Sequence, residues 1–176
     1  PNGGVLARNM RSLLEVSKAL GAEARLDSLL AVVTAEATKV MEAERSSIFI
    51  YDEAGETLSI RVSEDVAQGQ IRIPVGVGIA GHVARTRQPL NVPDAYADPR
   101  FNRDVDEKTG FRTRSILCVP IRTAKGEVIG VVQTLNKRTG RFTDGDRELL
   151  EAMALQAAAA LQNTQYIERM KRTRQQ

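Results

Sequence analysis

The residues that could do chemistry in this chain are few, and their types limit which chemistry is open. The sequence contains one cysteine, Cys118, and one histidine, His82. Nucleophilic catalysis needs a base beside the nucleophile, and a structural zinc site needs about four cysteine or histidine ligands. No Gly-x-Ser-x-Gly elbow and no Walker loop occurs. We therefore predict a chain that is not an enzyme, with no catalytic residue, no metal and no cofactor.

Cys118 and His82 have simpler explanations than catalysis. Cys118 lies between Leu117 and Val119 in a β-prone run, so a buried and inert thiol is expected. His82 directly follows Gly81, and we expect it to be a packed or hydrogen-bonded structural residue. Because one cysteine cannot form an intrachain disulfide, a reducing, cytoplasmic setting is expected.

Glycines that lead into a short helix form the first candidate binding element. Gly76, Gly78 and Gly81 surround the start of a helix predicted over about 79–85. Backbone N–H groups at a helix start can approach an anion, and the helix dipole favours negative charge there. Glycines also serve plain turns, so this segment alone leaves both explanations open.

A polar loop forms the second candidate element. Residues 91–113, called the lid below, form a long loop with one or two helical turns, and such loops are usually functional or disordered. Phe101 and Phe111 near its ends favour a docked lid. The lid offers neutral donors and acceptors and one carboxylate, which suits a heterocycle or sugar, although a solvated loop is the alternative. These side chains are Tyr96, Asn102, Asp106, Thr109 and Thr113.

Helices flank the elements that must hold these two segments. A helix is predicted over 5–20, where leucines recur every seven residues, and Gly21 is expected to end it. A second helix follows, with Asp27 as its N-cap. A long helix begins after the cluster 143–146 and runs to about residue 172. Heptad-like seams on the first and last helices predict a helical bundle that forms a homodimer.

Strand patterns occupy the middle of the chain. The predicted strands cover 47–51, 58–62, 71–73, 115–122 and 128–135. With helices before, between and after them, the order predicts an α+β fold. We expect a central antiparallel sheet of about six strands, with the helical bundle on one face. Short helices and the lid then cover a ligand pocket on the other face.

Charge and hydropathy argue against two classes of partner. The net charge of +3 comes from 25 basic and 22 acidic residues, and the segment 168–174 alone carries that excess. A nucleic-acid reader would place a basic stripe on the folded body. No run approaches the roughly 18 apolar residues that span a bilayer. We predict no nucleic-acid partner and no membrane partner, and the missing initial Met suggests a piece of a longer chain.

Six segments together resemble a GAF domain. They are RSSIF at 45–49, GIAGHVA at 78–84, PDAY at 93–96, PRFN at 99–102, TGFRT at 109–113 and ILCVPI at 116–121. The resemblance covers about residues 25–163 and is closest to the GAF domains of cyclic-nucleotide phosphodiesterases and bacterial adenylyl cyclases. It implies a signalling and dimerisation helix at 1–24, the GAF domain at 25–163, and a helical extension at 164–176 toward a linked effector domain.

The resemblance extends to a motif at the end of the last strand. Its residues here are Asn136, Lys137, Phe142 and Asp146. In the family the lysine and the aspartate form an ion pair that braces the fold beside the site. Arg147 stands where the family motif has a further acidic residue.

The resemblance also implies which strand residues would face the base of a cyclic nucleotide. Ser47 would lie on the pocket floor, and Ser63 and Glu64 would flank the purine. Some relatives have a stacking aromatic residue at the position of Ser63. Gln133 occupies a strand position where relatives have a carboxylate near the ligand. Because an amide both donates and accepts, Gln133 does not choose between cAMP and cGMP.

The remaining implied contacts lie at the helix start and in the lid. Ile79 and Ala80 would meet the phosphate through their backbone groups. The lid residues that would close over the ligand are Asn102, Asp106, Thr109 and Thr113. The expected function is binding of cAMP or cGMP and transmission of that signal to the effector domain. The alternatives are a ligand-free dimerisation module and a GAF sensor of another small molecule.

Two other family activities fit the sequence poorly. Some GAF proteins reduce methionine sulfoxide with several cysteines, and this chain has one. Others bind a tetrapyrrole through a cysteine in the lid or beside the pocket histidine. Here Gly81, not a cysteine, precedes His82.

Overall fold

A six-stranded antiparallel sheet forms the centre of the molecule. The computed structural model describes residues 2–52, 54–63 and 67–175. The helices are α1 (Asn2–Val40), α2 (Gly78–Thr86), α3 (Asp104–Thr109) and α4 (Asp144–Gln175), with a 3₁₀ turn at Ala95–Ala97. The strands are β1 (Ala43–Tyr51), β2 (Thr57–Ser63), β3 (Arg72–Pro74), β4 (Leu90–Val92), β5 (Ile116–Arg122) and β6 (Val128–Lys137). Their order across the sheet is β3-β2-β1-β6-β5-β4, which confirms the predicted α+β fold.

The two faces of the sheet pack against different layers. Successive residues of a strand point to opposite faces, so Ile48 faces α1 and α4 whereas Phe49 faces α2 and the lid. On β6, Val132 likewise faces α1 and α4, whereas Val131 faces α2 and the lid. The long helices therefore cover one face, and the other face carries α2 and the lid, as the sequence predicts.

α1 is one continuous helix, so the predicted break at Gly21 is wrong. A glycine inside a helix costs about 1 kcal/mol relative to alanine, and the helical turns on both sides tolerate that cost. Asp27 consequently lies inside α1 and is not an N-cap. Its carboxylate instead pairs with the Arg61 guanidinium of β2 at 2.8 Å, which ties α1 to the sheet.

α4 begins at Asp144, earlier than the sequence predicts. Thr143 Oγ1 accepts a hydrogen bond from the backbone N–H of Asp146 at 3.1 Å, and the Asp146 carboxylate accepts one from the Thr143 N–H at 2.9 Å. This reciprocal pair is a capping box, which satisfies donors at the helix start. The helix also continues past the expected end at about 172.

The predicted domain boundaries at 24/25 and 163/164 fall inside the helices α1 and α4, and they stay predictions. Within residues 2–52, 54–63 and 67–175, no helix is long and apolar enough to cross a membrane.

Candidate functional site

A pocket lies between the sheet and the lid. It has the sheet face of β1, β2 and β6 as its floor, the start of α2 at one side and α3 above. Nine of the ten predicted ligand residues line it: Ser47, Ser63, Ile79, Ala80, Asn102, Asp106, Thr109, Thr113 and Gln133. The tenth, Glu64, lies outside the described residues. The structure brings these nine residues together around one pocket. Their binding of a ligand stays a prediction.

Three polar side chains cross the floor in a row. Ser47 of β1 is paired in register with Ser63 of β2 on one side and with Gln133 of β6 on the other. Apolar side chains such as Phe49 and Ile60 line the pocket around them. The row therefore offers hydrogen-bonding groups on an otherwise apolar floor, which is the usual composition of a small-molecule site.

The start of α2 depends on two glycines. Gly78 has a φ of +71°, a left-handed conformation that L side chains adopt at a cost. A Cβ on Gly81 would lie 2.8 Å from the Pro74 carbonyl oxygen, so only glycine fits there. These residues bring the first turn of α2 to the pocket, where Ile79 and Ala80 line the wall. First-turn N–H groups of a helix have no partner within the helix, so this wall can bind an anion.

Asp106 of α3 bonds three parts of the lid to one another, and this set of hydrogen bonds is called the latch. The Asp106 carboxylate accepts hydrogen bonds from the Thr113 N–H at 2.8 Å, the Thr113 hydroxyl at 2.7 Å and the Tyr96 hydroxyl at 2.7 Å. Both Asp106 and Thr113 are buried. The bond from Tyr96 to Asp106 also raises the pKa of the Tyr96 phenol. Lid residues from three separate elements thus meet at one carboxylate.

The other polar lid residues bond within the lid. Asn102 Oδ1 accepts from the backbone N–H of Asp104 at 3.0 Å, and the Thr109 hydroxyl donates to the Val105 carbonyl at 2.8 Å. Thr109 is exposed at the pocket edge. In this arrangement Asn102 and Thr109 stabilise the two ends of α3.

Aromatic side chains fix the lid to the sheet. Phe101 and Phe111 pack against the pocket-side core, which confirms the expectation of a docked lid. Tyr96 contacts Phe101 edge to face, with ring centroids 5.2 Å apart. The guanidinium groups of Arg103 and Arg112 lie 4.8 Å and 4.5 Å from the Tyr96 ring. Cation–π contacts of this kind contribute about 0.5–1 kcal/mol each at exposed sites.

Arg45 also lines the pocket, although it is not among the site residues predicted from the sequence. It lines the pocket from β1, and its guanidinium lies 3.9 Å from the centroid of the Phe111 ring. Among the described residues that line the pocket, it is the one basic side chain. Its place two residues before Ser47, on the same strand face, is the signal that could have identified it.

The Lys137–Asp146 ion pair expected from the motif is present beside the pocket layer. Lys137 Nζ lies 2.8 Å from Asp146 Oδ2, and each side chain is 14% exposed. Burial acts to raise the pKa of Asp146, and the hydrogen bonds from Lys137 and Thr143 outweigh it, so that pKa lies below its ordinary value. Phe142 is buried near the Lys137 ammonium, and Asn91 donates to its carbonyl at 2.7 Å. Any contribution of this ion pair to ligand binding stays a prediction.

Arg147, which departs from the family motif, has a local partner. Its guanidinium lies 2.7 Å from the Glu151 carboxylate one turn later on α4. The arginine is therefore accommodated in a half-buried position on α4, and it is not among the residues that line the pocket.

Asn136 has a wider role than the motif suggests. It lies near the end of β6, its backbone φ is +61°, and it is 1% exposed. Its amide bonds to the backbone of the segment 112–115 and to Glu44 of β1. That segment contains Thr113, the partner of Asp106, and Asn136 bonds directly to its neighbour Arg112 at the end of the lid.

The pocket is small in this arrangement. Its cavity measures about 80 Å³, whereas pockets that hold drug-sized ligands measure about 300–1,000 Å³. A nucleotide-sized ligand would therefore need the lid to move away from the sheet. A movement of α3 relative to Tyr96 and Thr113 would break the hydrogen bonds at Asp106, whereas a movement of the whole lid would leave them in place.

The residues considered for catalysis are not among those that line the pocket. Cys118 is completely buried in β5, and burial raises the pKa of its thiol. Neither Cys118 nor His82 lines the pocket. Among the described residues, no group of three His, Cys, Asp or Glu side chains is placed to hold a metal ion.

The sequence is similar to a GAF domain family model and to two cyclic-nucleotide phosphodiesterases. A family model for the GAF domain matches residues 25–161. The probable 3',5'-cyclic phosphodiesterase pde-5 of Caenorhabditis elegans is 36% identical over 177 aligned residues, which cover 93% of this chain and 24% of that protein. The dual 3',5'-cyclic-AMP and -GMP phosphodiesterase 11 of Drosophila melanogaster is 42% identical over 109 residues, which cover 61% of this chain and 8% of that protein. The chain thus spans less than a quarter of the length of either relative.

Solved structures share the fold at lower identity. The GAF domain of a phosphoenolpyruvate-protein phosphotransferase from Coxiella burnetii superposes with a TM-score of 0.74 at 20% identity, covering 81% of this chain and 86% of that one. A free methionine-R-sulfoxide reductase from Neisseria meningitidis, solved with its substrate, gives 0.67 at 19% identity and covers 81% of each chain. The same architecture therefore occurs in the GAF domain of a phosphotransferase and in a methionine sulfoxide reductase.

Proposed function

The chain belongs to the GAF domain family, and we propose that its pocket binds a cyclic nucleotide, cAMP or cGMP, and passes that signal to a linked effector domain. One observation carries the proposal: nine residues chosen by resemblance to nucleotide-binding relatives line a single pocket. The relatives named above are cyclic-nucleotide phosphodiesterases, which supports the same ligand class.

The pocket offers complementary groups for each part of such a ligand. The N–H groups at Ile79 and Ala80 suit the cyclic phosphate, because a helix start favours negative charge. The row Ser63, Ser47 and Gln133 would face the polar edge of the base. Asp106 and Thr113 would close from the lid over the sugar, and Arg45 supplies a cation in the lining.

Binding would act through the lid. A ligand shifts a conformational equilibrium only by its different affinity for the two states. Here the two states are the lid latched through Asp106 and the lid moved outward to admit the nucleotide. Because β1 and β6 pack against α1 and α4 on their other face, a shift of these strands would reach both terminal helices.

Calorimetric titration with cAMP and cGMP tests the proposal. We expect one of the two to bind with one site per chain and to raise the melting temperature, because a ligand that binds only the native state stabilises it. The linear nucleotides 5'-AMP and 5'-GMP are the matched controls, and we expect weaker binding by both. No heat and no melting shift with either cyclic nucleotide would contradict the proposal.

A ligand-free signalling module is the second candidate. The observation that favours it is the small cavity of about 80 Å³ under a fully bonded latch. Under this candidate the lid residues serve packing alone, and the titration above gives no binding. A sensor of a different small molecule would likewise give no response to cyclic nucleotides.

We also propose a regulatory and non-catalytic role for this domain. The thiol of Cys118 is completely buried and is not among the groups that line the pocket, which supports that role, although an enzyme shares the fold. Sulfoxide reduction by several cysteines is not available to one cysteine. The single cysteine also supports the proposed cytoplasmic setting.

The terminal helices support a proposed homodimer. Apolar side chains on the first half of α1 are largely exposed in the single chain, including Leu6, Met10 and Leu13. Their spacing of four and three residues is that of a coiled-coil seam. A second copy of the chain would cover this stripe, and sedimentation over a range of concentrations measures whether it does.

A further inference from the structure

The side chain of Asn136 lies at the junction between the sheet and the lid. β6 ends beside it, and its backbone adopts a φ of +61°, a conformation that asparagine tolerates better than most residues. The Asn136 N–H donates to the Ser115 carbonyl at 2.8 Å. Asn136 is therefore held in one orientation and its amide points at the segment 112–115.

The amide group of Asn136 is completely used. Its Oδ1 accepts the backbone N–H groups of Arg114 and Ser115, and its Nδ2 donates to the Arg112 carbonyl at 2.9 Å. The remaining Nδ2 hydrogen bonds to the Glu44 carboxylate at 2.9 Å. An asparagine amide has two donors and two acceptor positions, so every one of them has a partner here.

Glu44 fixes the clamp from the other side. It lies on β1, and its second oxygen pairs with the Arg114 guanidinium at 2.9 Å. The hydrogen bond from Asn136 is the largest cause that lowers the pKa of Glu44, with the nearby arginines adding to it. The carboxylate is thus ionised at neutral pH. Through its bonds to the Asn136 amide and the Arg114 guanidinium, it connects β1 to the segment 112–115.

Thr113 occupies the middle of that segment. Its N–H and hydroxyl bond to Asp106, and the Arg114 carbonyl accepts from the Ala95 N–H at 2.7 Å, next to Tyr96. We propose that Asn136 and Glu44 form a hinge clamp, in which they are positioning residues that hold Thr113 so that Asp106 can latch the lid. The clamp deepens the proposed function and rests on it for the ligand, but its effect on the lid does not require a ligand.

Hydrogen exchange in the ligand-free chain tests the clamp. Asn136→Gly keeps the positive φ and removes the amide, so we expect exchange to rise about tenfold or more at the Thr113 N–H and within α3. Exchange in the β1–β6 ladder should stay unchanged. Thr38→Val is the matched control, because it also removes a side-chain hydrogen bond, that to Ser46 at 2.7 Å, on the sheet face away from the lid. It should leave lid exchange unchanged.

Two outcomes would overturn the clamp. One is unchanged exchange at Thr113 and in α3; the other is an equal rise in the lid and the sheet, which a purely structural role would give. If Asn136→Gly does not fold, Glu44→Ala and Glu44→Gln replace it. The alanine variant should loosen the lid, and the glutamine variant, which keeps an acceptor for Nδ2, should loosen it less.

The same variants separate the clamp from the proposed function. If the wild-type chain binds cAMP or cGMP, Asn136→Gly should weaken that binding about tenfold, and Thr38→Val should not. If the wild-type chain binds neither nucleotide, the proposed function fails, and lid exchange alone still decides the clamp.

Discussion

The Asp106 carboxylate receives two hydrogen bonds from Thr113, one from the backbone N–H at 2.8 Å and one from the hydroxyl at 2.7 Å. The two residues lie seven positions apart and join the buried face of α3 to the chain that enters β5. Because the carboxylate also accepts from Tyr96, its oxygens are occupied while the lid is latched. A ligand that took over either of the Thr113 bonds would therefore open this latch.

Removal of the latch should weaken both the fold and the proposed ligand site. Asp106→Ala leaves the buried Thr113 N–H without its acceptor, so we expect the free energy of unfolding to fall by about 2–3 kcal/mol. Asp106→Asn keeps the shape and an acceptor for that N–H, and it should cost less than half as much. Thermal unfolding and cyclic-nucleotide titration of both variants provide the measurement.

The informative result is whether Asp106→Ala loses more stability than Asp106→Asn. Equal stability of Asp106→Ala and the wild type would show that the latch contributes nothing to the fold. Unchanged nucleotide affinity in Asp106→Ala, in a chain that binds nucleotide, would remove Asp106 from the proposed site.

The start of α2 gives a prediction that separates strain from binding. Gly78→Ala places a side chain at a φ of +71° beside the pocket, and Gly126→Ala does so at +85° in the β5–β6 turn. Each should cost about 1–2 kcal/mol of stability. Only Gly78→Ala should also weaken cyclic-nucleotide binding, by about tenfold or more, because it displaces the N–H groups proposed to bind phosphate. Equal affinities of the two variants would argue against an anion site at this helix start.

The pocket could be predicted from the sequence because its parts are local. Gly78, Ile79 and Ala80 lie in one helix start, and Asp106 and Thr113 lie in one loop. Ser47 and Gln133 were assigned by resemblance, and antiparallel pairing then places them side by side. Glycine patterns indicate a helix start such as that of α2, and strand alternation indicates which side chains share a sheet face.

The features that were missed depend on tertiary contacts. Gly21 does not end α1, and propensity alone could not show that the flanking turns continue the helix. Asp27 pairs with Arg61, 34 residues away, and so does not cap a helix. β4 has three residues and too little pattern to stand out, and it is defined by its pairing with β5. The clamp at Asn136 joins residues up to 92 positions apart.

The brace between Lys137 and Asp146 should make stability depend on acidic pH. The folded-state pKa of Asp146 lies below the ordinary carboxyl value of 3.8, so the unfolded chain binds the proton more readily. The stabilising contribution is therefore complete above that value and is lost as pH falls through the lower, folded-state pKa. Asp146→Asn should lower the free energy of unfolding by about 1–3 kcal/mol at pH 7.

Denaturant unfolding of the wild type and Asp146→Asn at several pH values measures this dependence. The difference between the two chains should shrink as pH falls below 3.8. Arg147→Gln is the matched control, because it breaks the surface pair with Glu151, one turn away on α4. Surface pairs contribute about 0–1 kcal/mol, so the control should change stability little. A difference between Asp146→Asn and the wild type that is constant with pH would contradict the assignment.

The proposed homodimer predicts a position-specific effect of charge on α1. Leu13 is 70% exposed in the single chain and lies on the stripe with Leu6 and Met10. Leu13→Glu would place a carboxylate in the apolar seam, where its desolvation should dissociate the dimer. Ser12→Glu adds the same charge one position away, about 100° around the helix, and should leave the dimer intact. Sedimentation velocity of the wild type and both variants distinguishes the outcomes, and a wild type that remains monomeric at every concentration would reject the dimer itself.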